Sequence, residues 1–160
     1  MAFFSHEFET TLTTHGVGMS RVIWYQVLFM PEQLAKELPL REHPRLRVCG
    51  EIVDIPVAGA WMPSGDGRHY FIVSPAVRKG TGARLGDVLD MRFNIDDQNR
   101  VDVPAALEEA LAANPELRAI WLGLSPGRRR GLAHQVAQAK TSLTVQRRIL
   151  EVRDVLLASR

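Results

Sequence analysis

The sequence predicts an α+β protein, a small N-terminal β-barrel of about six strands and two short helices followed by four short helices. Two observations carry this. Through about residue 100 the apolar residues recur with the period of two that suits strands, and from Val101 the period becomes 3.6. In the second part, Asn114-Pro115 and Ser125-Pro126 each place a helix cap before a proline suited to the first helical position. The expected division is a β-barrel domain at 1–100 and a helical domain at 101–160. A chain of 160 residues with 46% apolar content is long enough to bury a sizeable core, which excludes a disordered protein.

Each element has a local reason. Residues 6–14 are Thr-rich with Phe8 and Leu12 apolar, a half-exposed strand that His15-Gly-Val-Gly18 is expected to break. Residues 20–29 are dense in β-branched and aromatic side chains and predict a central strand. Pro31 opens a short helix with Leu34 and Leu38 at i, i+4, and Pro39 stops it. Residues 45–55 alternate through Leu46, Val48, Ile52 and Ile55 around Gly50, which marks a bulge or a crossing point, and residues 57–62 supply the partner strand. Pro63-Ser-Gly-Asp-Gly67 is the strongest turn, because Asp-Gly tolerates the positive φ angles of tight hairpins. A strand over 68–73 leaves it.

Ser74-Pro75 caps one or two helical turns that end at Gly80, and residues 87–95 close the β part on a Met91, Phe93, Ile95 face. The four later helices cover about 104–113, 116–124, 128–140 and 142–156, the last capped by Ser142. Trp121, Ile120, Val136, Ile149 and Val152 are expected to pack them together.

The formal charge of +2 conceals an asymmetry: residues 126–160 hold 8 basic and 2 acidic side chains, whereas residues 1–125 hold 12 basic and 16 acidic. The residues after Met1 turn polar beyond Phe4, unlike a secretory leader, and the longest apolar-rich run, 22–30, is far short of the roughly 20 residues of a membrane span. A cytoplasmic protein without membrane insertion is expected. The lone Cys49 reads as a small buried apolar residue.

A family resemblance adds to this. Gly50-Glu-Ile-Val-Asp-Ile-Pro-Val57, Met62-Pro-Ser-Gly-Asp-Gly-Arg-His-Tyr70, Val77-Arg-Lys-Gly80 and Leu85-Gly-Asp-Val88 resemble, in order and spacing, a bacterial domain of unknown function found in YdeI-like proteins. Val103-Pro104, Ala110-Leu-Ala-Ala-Asn-Pro115, Leu124-Ser-Pro126, Arg128-Arg-Arg130, Ala139-Lys140 and Arg147-Arg-Ile149 resemble the YdeI or OmpD-associated, bacteriocin-protection family. The resemblance covers about residues 5–155 and implies a double-split barrel, a fold shared with AbrB-like swapped-hairpin factors, in a bacterial protein of stress or envelope-protection context. One stretch departs from the family: where it usually reads Ala-Lys-x-x-Glu-Thr-Arg, this chain has Leu143 and Val145 in place of the acid and base.

Candidate chemistry falls in two places. Asp66, Arg68 and His69 form the one compact group of catalytic residue types, and with Ser74, Arg78 and Lys79 nearby they offer a small-anion site. The simpler reading is hairpin chemistry, with Arg68 and His69 on opposite strand faces and Arg78 and Lys79 complementing a helix C-terminus. The second place is the basic tail. Arg128, Arg129 and Arg130 occupy a first helical turn, where cations oppose the dipole, and with Lys140, Arg147 and Arg148 they form a candidate anion or nucleic-acid face.

Against that face, no aromatic residue follows Trp121 to stack on bases, and Glu108, Glu109, Glu116 and Glu151 offer intramolecular partners. The five histidines lack metal-ligand spacing, and no phosphate loop, dinucleotide fingerprint or nucleophile elbow occurs. No cofactor or metal is expected, and nothing supports an enzyme. The expected function is non-enzymatic binding of a protein or small anionic ligand; the alternatives are nucleic-acid or acidic-partner binding through the basic C-terminal helices, and a small-anion binder or enzyme at the Asp66, Arg68 and His69 hairpin.

Overall fold

The N-terminal alternation builds two strands where one was expected. β1 (His6–Thr11) and β2 (Thr13–Val17) belong to different sheets and pivot at Leu12, which is 1% exposed. Its N–H donates to the Asp87 carbonyl at 2.8 Å and its own carbonyl accepts from the Gly86 N–H at 2.9 Å. The break therefore falls at Leu12, because burying that side chain between the sheets fixes the crossing, and His15-Gly-Val is strand. The structure, a computed structural model, describes residues 3–160; Met1 and Ala2, where the N-terminal stretch unlike a leader begins, lie outside the described residues.

The rest of the α+β fold follows in order. β3 (Ile23–Phe29) is succeeded by α1 (Glu32–Ala35), β4 (Arg47–Ile52), β5 (Ile55–Ala60), β6 (Met62–Pro63), β7 (His69–Ile72), α2 (Pro75–Thr81) and β8 (Val88–Ile95). All pairings are antiparallel, in two open four-stranded sheets ordered β1-β8-β4-β5 and β2-β3-β7-β6. No ladder closes them into a barrel among the described residues. The count is eight strands rather than six, since the first strand is divided and the two-residue β6 precedes the hairpin turn. β3 has a neighbour on each side only at Gln26 and Val27; Ile23–Tyr25 pair with β2 alone, and Leu28 and Phe29 pair with β7.

Two local departures have physical causes. The strand expected over 45–55 turns back at Val53 and Asp54, whose φ angles of 46° and 66° make a two-residue hairpin turn without glycine. The Val53 N–H is held by the Asp90 carbonyl at 3.1 Å, and the Asp54 carboxylate by Arg92 at 2.8 Å. Tertiary contacts thus enforce a conformation that valine disfavours. Gly50 is no bulge but a regular rung between β5 and β8, where a Cβ would stand 1.9 Å from the Arg92 carbonyl oxygen.

α2 runs past Gly80 and stops at Gly82 in the left-handed conformation. Val48 and Ile52 face inward with Trp61, Phe71, Met91 and Phe93, so alternation turns Cys49 to the outer face and leaves it partly exposed rather than buried.

The chain divides into two units, Met1–Asp97 and Gln98–Arg160. The second holds α3 (Ala105–Ala112), α4 (Pro115–Gly123), α5 (Pro126–Ala137) and α6 (Ser142–Ala158). Asn114 and Ser125 accept from the backbone N–H groups of Leu117 and Arg128, both at 3.2 Å, as expected of caps. The last cap is Thr141, not Ser142: its Oγ1 accepts from the Thr144 N–H. Trp121, Val136 and Val152 are buried with Leu107, Leu117 and Leu156, and Ile120 and Ile149 pack at the margin.

Candidate functional site

The hairpin residues are brought together as a turn lock. The Asp66 carboxylate accepts from the Arg68 main-chain N–H at 3.0 Å, from Arg68 Nε at 2.9 Å and from the Ser64 hydroxyl. These bonds, led by the Arg68 guanidinium, hold the Asp66 carboxyl well below the usual carboxylate range. Arg68 also lies 4.0 Å over the Phe29 ring. Strand alternation turns His69 to the opposite face, that of Phe71 and Val73, so the three do not converge. Ser74 uses its hydroxyl oxygen to cap α2, accepting from the Val77 N–H at 3.3 Å, and Arg78 and Lys79 occupy that helix's last turn.

The tail cations are largely engaged inside their own unit. Arg129 Nε donates to the Leu124 carbonyl at 3.2 Å, Arg130 Nη1 to those of Gln98 and Arg100 at 2.9 and 3.2 Å, and Arg148 Nη1 to that of Gln135 at 2.7 Å. Arg147 pairs loosely with Glu151 at 3.8 Å. Glu108 and Glu116 are taken by Arg118 and Arg160 at 2.9 and 2.6 Å, not by the Arg128–Arg130 run. Arg128 and Lys140 point to solvent. Leu143, which replaces the family's acid, is 82% exposed.

Two features were not visible along the chain. The outer face of β1, β8 and β4 gathers Glu7, Glu9, Asp90, Glu51 and Asp54 around Arg92, which binds Glu51 at 2.7 Å and Asp54 at 2.8 Å beside a groove of about 490 Å³. Register sets Glu9 directly opposite Asp90, an unfavourable like-charge pair. The face repels anions. Among the described residues, no group of three or more His, Cys, Asp or Glu side chains is placed to hold a metal ion. The period-two pattern Glu7, Phe8, Glu9 was the available signal; the other acids arrive from separate strands.

The second feature is an unclosed seam between the sheets. The Trp61 N–H bonds the Leu46 carbonyl at 2.8 Å, so the odd-numbered residues of β5 face β4, and the main-chain groups of Pro56, Ala58 and Ala60 point to the open edge. On β7, the Val73 N–H bonds Gln26 and the His69 carbonyl accepts from Met30, so the groups of Tyr70 and Ile72 point away from β3. Tyr70 uses them on Met62. The next rung would join Ala60 to Ile72, but the strands diverge and the ladder stops. The resulting cleft, about 550 Å³, is lined by Val57, Ala58, Gly59, Ala60, Met62 and Phe71, with Ser74 and Val77 from the α2 end. Small side chains on β5 leave room, and the unpaired groups supply direction.

These features define a class: an α+β protein with a split pair of antiparallel sheets, followed in sequence by a helical unit braced by arginine-to-carbonyl bonds. The chain belongs to the family of the Domain of unknown function (DUF1905), whose model matches residues 8–93, and residues 100–158 match the family described as Bacteriocin-protection, YdeI or OmpD-Associated. Nothing among the curated proteins or the solved structures matches the chain. No helix among the described residues is long and apolar enough to cross a membrane.

Proposed function

We propose that this YdeI/OmpD-associated chain is a non-enzymatic bacterial cytoplasmic binding protein, serving the stress or envelope-protection role that the family's description suggests. Its β unit receives an extended apolar peptide segment in the seam. The supporting observation is the unmade rung between Ala60 and Ile72: an added strand would continue the β6–β7 ladder along β7, main chain to main chain, over an apolar floor. Main-chain pairing gives affinity, and the small side chains of Ala58 and Ala60 beside the open edge leave room for those of the incoming strand. The tail arginines support this reading over a phosphate-binding one, because Arg129, Arg130 and Arg148 already donate to carbonyls.

Titration with a capped peptide of alternating valine and threonine, glutamate at each end, tests it by amide NMR. The Ala58, Ala60 and Ile72 amides should shift most. Ala58→Pro removes one outward donor at a position equivalent to Pro56, leaves the ladder to β4 intact, and should weaken binding about fivefold, the weight of one hydrogen bond. Shifts confined to the Arg92 face, or none at millimolar peptide, would overturn the proposal.

A further inference from the structure

Beyond the seam, the β2–β3 ribbon carries an independent feature. Residues Ile23–Tyr25 pair with β2 alone, whereas the Gln26 carbonyl already accepts from the Val73 N–H, so the end of the ribbon projects past β7 with no third strand beside it. Its end is apolar and bare: Met19 is 101% exposed, Trp24 69%, Ile23 51% and Val22 47%. Alternation places Ile23 and Trp24 on opposite faces, with Met19 and Val22 at the tip. Gly16 lacks the Cβ that would meet Trp24 at 3.2 Å, so the indole lies across the ribbon. Gly18, at φ 123°, tightens the turn that presents Met19 to Arg21.

We infer that this ribbon is a lipid-docking arm whose tip enters the headgroup layer of an anionic membrane. Apolar side chains on both faces and the end need a surrounding that wraps them; a second protein surface covers one face and leaves the other wet, whereas the headgroup boundary encloses all three. Tryptophan favours that boundary. Charge agrees: residues 11–31 contain no Asp or Glu and do contain Arg21, although the β unit to residue 97 holds 12 acidic residues. The acids are missing where anionic headgroups would repel them, and Arg21 stands where they would attract it. Such attachment sits at the surface and needs no spanning helix.

Trp61 and Trp121 are 0% and 4% exposed, so a change in tryptophan emission on docking reports Trp24. The full chain, mixed with vesicles of equal parts phosphatidylglycerol and phosphatidylcholine, should show blue-shifted emission and float with the vesicles. Ile23→Asp, which keeps Trp24 and alters an exposed position, should abolish both with an unchanged far-UV spectrum. Arg21→Glu should weaken flotation at least fivefold. Emission that ignores vesicles would overturn the inference. So would a blue shift that grows with protein concentration in their absence and tracks a dimer in sedimentation, since a second copy would then cover the tip.

Discussion

Gly50 is the tightest point of the β unit. A methyl group there would stand 1.9 Å from the Arg92 carbonyl oxygen and 2.6 Å from the Phe93 Cα, both backbone atoms with no freedom to swing aside. Gly50→Ala should therefore cost about 3 kcal/mol or more in a denaturant titration, the range of severe overpacking; a loss under about 1 kcal/mol would mean that β4 and β8 lie farther apart. That a glycine interrupts this strand was legible in the sequence, but its purpose was not, because close approach is a property of two strands. The turn at Val53 and Asp54 was illegible for a related reason. Val53 reads locally as strand and Asp54 is a turn residue with no glycine beside it, so the Asp90 carbonyl and the Arg92 side chain, some 38 residues onward in the latter case, are needed to fix their positive φ angles.

Among elements, the hairpin from Met62 to Ile72 shows what composition can specify unaided. Gly65 and Gly67 both adopt positive φ, as the Pro63-to-Gly67 turn signal requires, and Asp66 locks the return through Arg68 and Ser64. A folded-state pKa below the ordinary value of 3.8 means that the unfolded chain binds the extra proton. The stabilisation from Asp66 is thus fully present above that value and is lost as pH falls below it toward the folded-state pKa. Melts recorded from pH 5 down to about pH 2 should drop less steeply for Asp66→Asn than for the parent chain. Superimposable acid limbs would show that the lock adds nothing.

The helices were largely legible, since Asn114 and Ser125 are local caps; the last cap moves by one residue from Ser142 to Thr141, and α5 runs over Pro126–Ala137 rather than 128–140. The N-terminal strands were less so. Nothing in the Thr-rich run marks Leu12 as the pivot, because the reason is burial between two sheets that the run itself does not describe.

For the whole molecule, the charge asymmetry along the chain resolves into bracing. Cations of the helical unit are tied to carbonyls of Gln98, Arg100, Leu124 and Gln135 and to Glu108, Glu116 and Glu151, which explains why arginines persist at a helix start that the dipole disfavours. The acidic excess of the β part gathers around Arg92, and the apolar seam opens between β5 and β7. Neither could be read from periodicity, which tells which residues face inward but not where two sheets part. The function proposed rests on that parting. Amide exchange of the free protein, residue by residue, tests it most directly: Ala58, Ala60 and Ile72 should exchange about 100-fold faster than Val57, Gly59 and Phe71, whose N–H groups are bonded within the ladders. Equal protection across the two sets would show that the seam is closed, and would contradict the account.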